Sequence, residues 1–279
     1  MRFNRMPMDS EAARLARAPA QHAEGAPVIE LAAVEKTYPS GTRALAPIDL
    51  VIRGREFVTL LGPSGCGKST LLRLAAGLDA PSAGRLRWWG QGFETVGRPG
   101  QHLAMVFQQA TLMPWARVAA NVRLPLDLAR VARPAADRAV AAALELVGLA
   151  PFAASYPREL SGGMQMRVSI ARALVTDPDL LLMDEPFGAL DEITRAKLDA
   201  ELAALWGSRA LTVAFVTHSI YEAVFLSTRV VVLSARPGRV VAEVAIGEPF
   251  PRTDAFRLSQ RFAAFCAELG GLLASAAET

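Results

Sequence analysis

The 279-residue chain has only two cysteines, Cys66 and Cys266, far apart and outside any C-x-x-C pattern. That excludes a disulfide framework and favours a reducing compartment, read here as the cytosol. Long apolar runs are equally absent: stretches such as residues 210–217 fall far short of the ~20 residues a membrane-crossing helix needs. If the protein works at a membrane, other chains are expected to span it. No block of five or six like charges occurs, and 30 basic residues nearly balance 27 acidic ones, so a nucleic-acid arm is not expected. The only asparagines are Asn4 and Asn121, which leaves no N-K-x-D guanine reader.

What remains is ample apolar material, 52% of the chain, enough for one large or two modest units with a substantial core. Residues 1–27 mix arginines, acids, alanines and prolines without the apolar centre of a secretory signal, and are expected to form a poorly ordered tail. From Val28 the pattern turns to β-rich runs at 28–34, 48–52 and 56–61. The last of these flows into a glycine-rich turn and then a helix pattern over 68–76, stopped by Gly77. Between about 111 and 175 the β-branched runs vanish, and Pro134 and Gly148 bracket one clear helix, so an inserted helical subdomain is expected.

Near-continuous apolar runs at 180–183 and 211–216 then read as parallel strands covered on both faces. Val230–Leu233 and Val240–Val244 flank Pro237-Gly238 and read as an antiparallel pair. Residues 256–274 read as a helix within a C-terminal tail from 247. The expected fold is α/β, with a mainly parallel core sheet, an antiparallel β subdomain and the helical insert, the main domain covering 28–246.

Gly62-Pro63-Ser64-Gly65-Cys66-Gly67-Lys68-Ser69 matches G-x-x-x-x-G-K-[ST] between a predicted strand and a predicted helix. The glycines let the loop curl so that backbone N–H groups and the helix start face phosphate oxygens. Lys68 adds a charge for the terminal phosphates, the Ser69 hydroxyl can ligate Mg²⁺, and Thr70 completes the loop. Asp184 and Glu185 end the run 180–183, at the rim where a buried strand delivers side chains beside the loop. There Asp184 is placed to hold Mg²⁺ and Glu185 to polarise an attacking water. Cys66 fills a free position of the motif and takes no redox role.

Leu160-Ser161-Gly162-Gly163-Met164-Gln165, followed by 180–185, resembles the ATP-binding cassette (ABC) ATPases, a likeness covering residues 28 to about 245. Ser161 can cap the helix that follows, and Gly162 and Gly163 offer N–H groups to an anion. The resemblance implies a nucleotide pocket completed by Ser161, Gly162, Gly163 and Gln165 of a second copy, hence a head-to-tail homodimer across ATP and Mg²⁺. It also implies that Tyr38 stacks on adenine, with ordinary packing as the other reading. Gln108 would link metal and water to the insert, with Gln109 as the neighbouring choice; Asp191 would lie at the dimer seam, and His218 would contact the γ-phosphate. The family often carries aspartate after this histidine, where this chain has Ser219.

Repair and chromosome ATPases of this kind carry long heptad arms, and translation factors carry two cassettes; this chain has a compact insert and one cassette. Met113-Pro114-Trp115, 186–192 and Ser234–Arg239 resemble cassettes of nitrate, sulfonate, taurine and pyrimidine- or thiamine-precursor importers. The implied machine sets two such ATPases at the cytoplasmic face of the membrane below two permease subunits, fed by a periplasmic or lipid-anchored substrate-binding protein. Residues 107–115 with the insert are the expected docking groove, the plainer reading being that Met113 and Trp115 are core. A soluble ABC ATPase of regulatory or nucleic-acid function and an exporter cassette are the alternatives.

Overall fold

The structure, a computed structural model, describes residues 25–91, 101–188, 190–209 and 211–277. Most of the expected N-terminal tail, residues 1–24, and Ala189 of the 186–192 stretch lie outside these. The described chain forms two compact units, one of Leu112–Asp177 and one of the segments up to Thr111 and from Pro178.

The larger unit is organised by β3 (Phe57–Leu61), β6 (Leu180–Asp184) and β7 (Thr212–Thr217), in which every residue is buried. Strands covered on both faces have no use for a polar alternation, which is why these runs read as continuous apolar segments. With β5 (Leu103–Val106), β8 (Arg229–Leu233) and β9 (Val240–Ala245) they form a six-stranded sheet in the order β5-β6-β7-β3-β8-β9. The first five are mutually parallel, and β9 runs antiparallel to β8. Parallel alignment has a direct consequence: the loops leaving β5, β6, β7 and β3 emerge side by side at one edge, the position where open α/β sheets bind ligands.

A second sheet, antiparallel and ordered β2-β1-β4, consists of β1 (Pro27–Thr37), β2 (Arg43–Arg53) and β4 (Ala83–Trp88). β4 is the strand that sequence patterning misses, because Ala-Gly-Arg-Leu-Arg-Trp is mostly exposed and carries no apolar run. Its Trp88 Nε1 donates to the Ala75 carbonyl at 2.8 Å, joining the strand to α1 (Lys68–Ala75). Gly77, with φ +67°, ends α1 by donating to the Leu74 carbonyl, while Leu78 N–H reaches the Arg73 carbonyl.

The predicted C-terminal helix is divided. α7 (Asp254–Arg257) stops, and α8 (Gln260–Ala277) starts afresh because Ser259 caps it, its Oγ accepting from Phe262 N–H at 3.1 Å. The remaining helices of this unit are α5 (Glu192–Ser208) and α6 (Ile220–Leu226). Among the described residues no helix is long and apolar enough to cross a membrane.

The smaller unit packs α2 (Val118–Leu128), α3 (Arg133–Leu146) and α4 (Gly162–Leu174) around Val118, Val122, Ala136, Leu144 and Val168. Pro134 sits in the first turn of α3, where its missing N–H costs nothing, and Gly148 follows the helix with φ +67°. Asn121 is fully buried on α2 and is satisfied: its amide accepts from Met113 N–H and donates to the carbonyls of Met113, Ala116 and Arg117.

Candidate nucleotide site

The loop between β3 and α1 takes its shape from two left-handed residues, Gly65 (φ +75°) and Gly67 (φ +105°), conformations that a side chain strains. Gly67 begins α1 without any side-chain cap, so the first-turn N–H groups of the helix remain to be met from outside. Beside them lies a cavity of about 180 Å³ whose lining includes Tyr38, Gly65, Lys68, Ser69, Glu185 and Arg236.

Lys68 is only 4% exposed, and its Nζ donates to the carbonyls of Gly62 (2.8 Å) and Pro63 (2.9 Å). The nearest carboxylate, Glu185 Oε1, is 3.9 Å away. A buried ammonium held mainly by neutral carbonyls is a receptor for an anion. Helix start, glycine curl and lysine converge on the same cavity, which fits the phosphates of a nucleotide.

Ser69 Oγ donates to Asp184 Oδ1 at 2.8 Å. Burial pushes the Asp184 carboxyl above the ordinary carboxylate range, partly offset by that hydrogen bond. A buried carboxylate beside a hydroxyl is a hard-oxygen pair suited to Mg²⁺, whose charge would keep Asp184 ionised. Among the described residues no group of three or more His, Cys, Asp or Glu could enclose a metal. Mg²⁺ here would therefore combine these oxygens with phosphate oxygens and water, in keeping with its reluctance to dehydrate. Gln108 leaves β5 next to the strand that ends in Asp184, since Val106 pairs with Met183, and it is exposed.

Glu185 occupies a strained position, φ +43° for a non-glycine residue, fixed by its N–H donating to the Val216 carbonyl and its own carbonyl accepting from Gly188. Strain of this kind persists where surrounding bonds over-determine it. The turn brings Glu185 Oε2 within 3.1 Å of His218 Nδ1 while Oε1 faces Lys68. Behind His218, Thr217 Oγ1 donates to the buried Glu222 Oε2 and accepts from Ser219 N–H at 2.9 Å. Ser219 Oγ caps α6 through Glu222 N–H, the capping duty an aspartate could equally perform.

Lys68, Ser69, Asp184, Glu185 and His218 are thus linked in one chain of contacts. Tyr38 lines the same cavity, its OH 3.2 Å from Thr70 Oγ1, and also packs against the core of the unit. Pro63 and Ser64 form the outer bend of the loop. Burial raises the Cys66 thiol, and a side chain at Gly62 would press on its sulfur. Asp191 caps α5, its carboxylate accepting from Thr194 N–H at 3.0 Å, a bond that holds its carboxyl below the usual range.

In the smaller unit Ser161 caps α4 by accepting from Met164 N–H at 3.3 Å. Gln165 Nε2 donates to the carbonyls of Pro157 and Leu160, bracing the turn that presents Ser161, and a Cβ at Gly162 would meet nothing within 4 Å. Sequence reading missed Arg236 as a cavity residue; the only signal was the Ser234–Arg239 stretch that contains it.

The family profile described as ABC transporter matches residues 45–188, more than half of the chain. The chain belongs to the ABC transporter family. The taurine import ATP-binding protein TauB of Rhizobium johnstonii is 50% identical to this ABC ATPase over 205 residues, 74% of this chain and 77% of that protein. The aliphatic sulfonates import ATP-binding protein SsuB of Bacillus licheniformis is 43% identical over 222 residues, 78% of this chain and 85% of its own. Among solved structures, an ATP-binding cassette in a dimeric post-hydrolysis state with ADP and Pi aligns with a TM-score of 0.70 at 32% identity, covering 79% of this chain and all of that one. The fold is that of an ABC ATPase, and the chain binds and hydrolyses ATP as members of the family do.

Proposed function

We propose that this ABC ATPase powers the import of a small sulfonate-type solute, acting as a head-to-tail pair at the cytoplasmic face of the membrane beneath two permease subunits. A substrate-binding protein outside would deliver the cargo. The observation that carries this reading is that Lys68, Ser69 and Glu185 line one cavity, with Asp184 and His218 hydrogen-bonded to Ser69 and Glu185, in a chain so similar to ATP-binding proteins named for taurine and aliphatic sulfonate import.

In this reading Lys68 and the first-turn N–H groups of α1 hold the phosphates, and Tyr38 offers its ring to the base. Ser69, Asp184 and Gln108 hold Mg²⁺, which when bound neutralises charge on the phosphate oxygens. Glu185 accepts a proton from the attacking water, and His218, 3.1 Å away, fixes the direction of that carboxylate. Ser161, Gly162 and Gly163 of one copy would face the nucleotide of the other, with Asp191 at the seam. The segment 107–115 would dock the permease.

The test is reconstitution with a candidate sulfonate-importer permease pair, scored as ATP-dependent uptake of taurine or an alkanesulfonate. Glu185→Gln is expected to retain ATP binding while phosphate release falls by about 10²-fold or more and uptake stops. Wild-type turnover in that variant would overturn the catalytic assignment. Hydrolysis stimulated by nucleic acid and falling steeply with salt would favour the regulatory alternative.

A further inference from the structure

The turn between β8 and β9 is built into the wall of the nucleotide cavity. Ser234 N–H donates to the Arg239 carbonyl, and Ser234 Oγ accepts from Arg239 N–H. Gly238 N–H donates to the Ala44 carbonyl, and its own carbonyl accepts from Ala46 N–H. At the other end, Ala235 N–H donates to the Ala276 carbonyl, in the last turn of α8. The loop is therefore pinned to β2, to itself and to α8, with no contribution needed from a bound nucleotide.

That frame carries Arg236 to the glycine loop. Its Nε donates to the Gly65 carbonyl at 3.0 Å, and Nη2 lies 3.3 Å from the place a Gly65 Cβ would occupy. Arg236 lines the cavity together with Lys68 and Tyr38 and is otherwise exposed. Among the described residues no carboxylate pairs with it. One of its five N–H donors is engaged, which leaves a guanidinium whose planar fork suits phosphate oxygens beside the loop that holds them.

We propose that Arg236 is a further nucleotide-binding residue, a second cation that meets the phosphate chain of the nucleotide and is held in place through Gly65, the β8–β9 turn and α8. The proposal rests on the nucleotide reading of the cavity. Because the loop is anchored before binding, Arg236 adds charge to the site at little cost in ordering. A fixed, exposed guanidinium in a charge-assisted bond is worth about tenfold in affinity.

The experiment titrates the full chain with a fluorescent ATP analogue and with ADP at low and high KCl, for wild type, Arg236→Ala and Arg236→Lys. Arg236→Ala is expected to weaken both nucleotides about tenfold at low salt, the loss shrinking as salt rises. Arg236→Lys, which keeps the charge, is expected to recover at least half of that loss on a logarithmic scale. Binding of Arg236→Ala within twofold of wild type overturns the proposal. So does an equal loss in Arg236→Lys, because the arginine would then act only by shaping the Gly65 bend. Thermal unfolding of each variant shows whether it is folded, and Arg236→Gln replaces any that is not. A wild-type chain that binds neither nucleotide would instead sink the nucleotide reading itself.

Discussion

Replacing Gly238 by alanine tests whether the β8–β9 turn sets the position of the phosphate loop. The added Cβ would lie 2.1 Å from the Cys66 carbonyl oxygen and 3.3 Å from Leu45 Cδ2, whereas ordinary contact begins near 3.4 Å. The first shortfall is about 1.3 Å, the difference between 3.4 and 2.1 Å, and the obstructing atom is backbone. It cannot rotate away as the end of a flexible side chain could. Relief must come from the turn or from the loop, and the turn is held by Ala44, Ala46 and Ser234. Overpacking of this kind costs about 1–3 kcal/mol, and Tm is expected to fall by roughly 3–10 °C. A loop shifted by about 1 Å misplaces Lys68 and Ser69, so kcat/KM for ATP is expected to fall on the order of 10²-fold. Phosphate release and thermal unfolding, read on the same preparation, measure both. Gly271→Ala is the control: a Cβ there meets nothing within 4 Å, and removing a mid-helix glycine from α8 should raise stability by up to about 1 kcal/mol. If Gly238→Ala hydrolyses ATP at the wild-type rate with an unchanged Tm, the buttress does not exist.

Two further outcomes follow from groups away from the cavity. Asp199 on α5 is pushed up to about 8 by burial and by the charge of Glu222, against the pull of Arg257 and Arg195. Its native state therefore keeps a proton that the unfolded chain loses near pH 4, and stability falls as pH rises between about 4 and 8, by roughly 1.4 kcal/mol per unit. Asp199→Asn, which has no proton to lose, should gain on wild type by about 2.5 kcal/mol between pH 5.5 and 7.5 in urea unfolding; a difference independent of pH would contradict this. Asn121→Leu removes the side-chain partner of the part-buried Met113 N–H and Ala116 carbonyl in the smaller unit, whereas the Met113 and Arg117 carbonyls keep the backbone N–H groups of Ala116 and Asn121. It should destabilise by about 2–4 kcal/mol, seen as a lower denaturation midpoint, and a loss under 0.5 kcal/mol would mean that water or rearrangement satisfies them.

The parallel core was legible because doubly covered strands leave unbroken apolar runs, and the glycine loop because its backbone demands special residues at fixed spacing. β4 was not, since an edge-like strand rich in arginine offers no run to find. The division between α7 and α8 turned on Ser259, one capping serine inside an otherwise helical pattern. At the site, Lys68, Ser69, Asp184 and Glu185 could be named from motif and strand ends. What spacing could not show was tertiary: that Glu185 reaches His218 through a left-handed backbone, or that Arg236 arrives at Gly65 from 171 residues further along the chain.

The scarcity of thiols gives the molecule a built-in probe. Cys66, sealed within the glycine bend and pushed toward its unreactive thiol form by burial, can be alkylated only when that bend opens. Cys266, partly exposed on α8, supplies an internal reference for reagent strength. The ratio of the two labelling rates, followed as nucleotide is added, would time the breathing of the phosphate cradle without any engineered label.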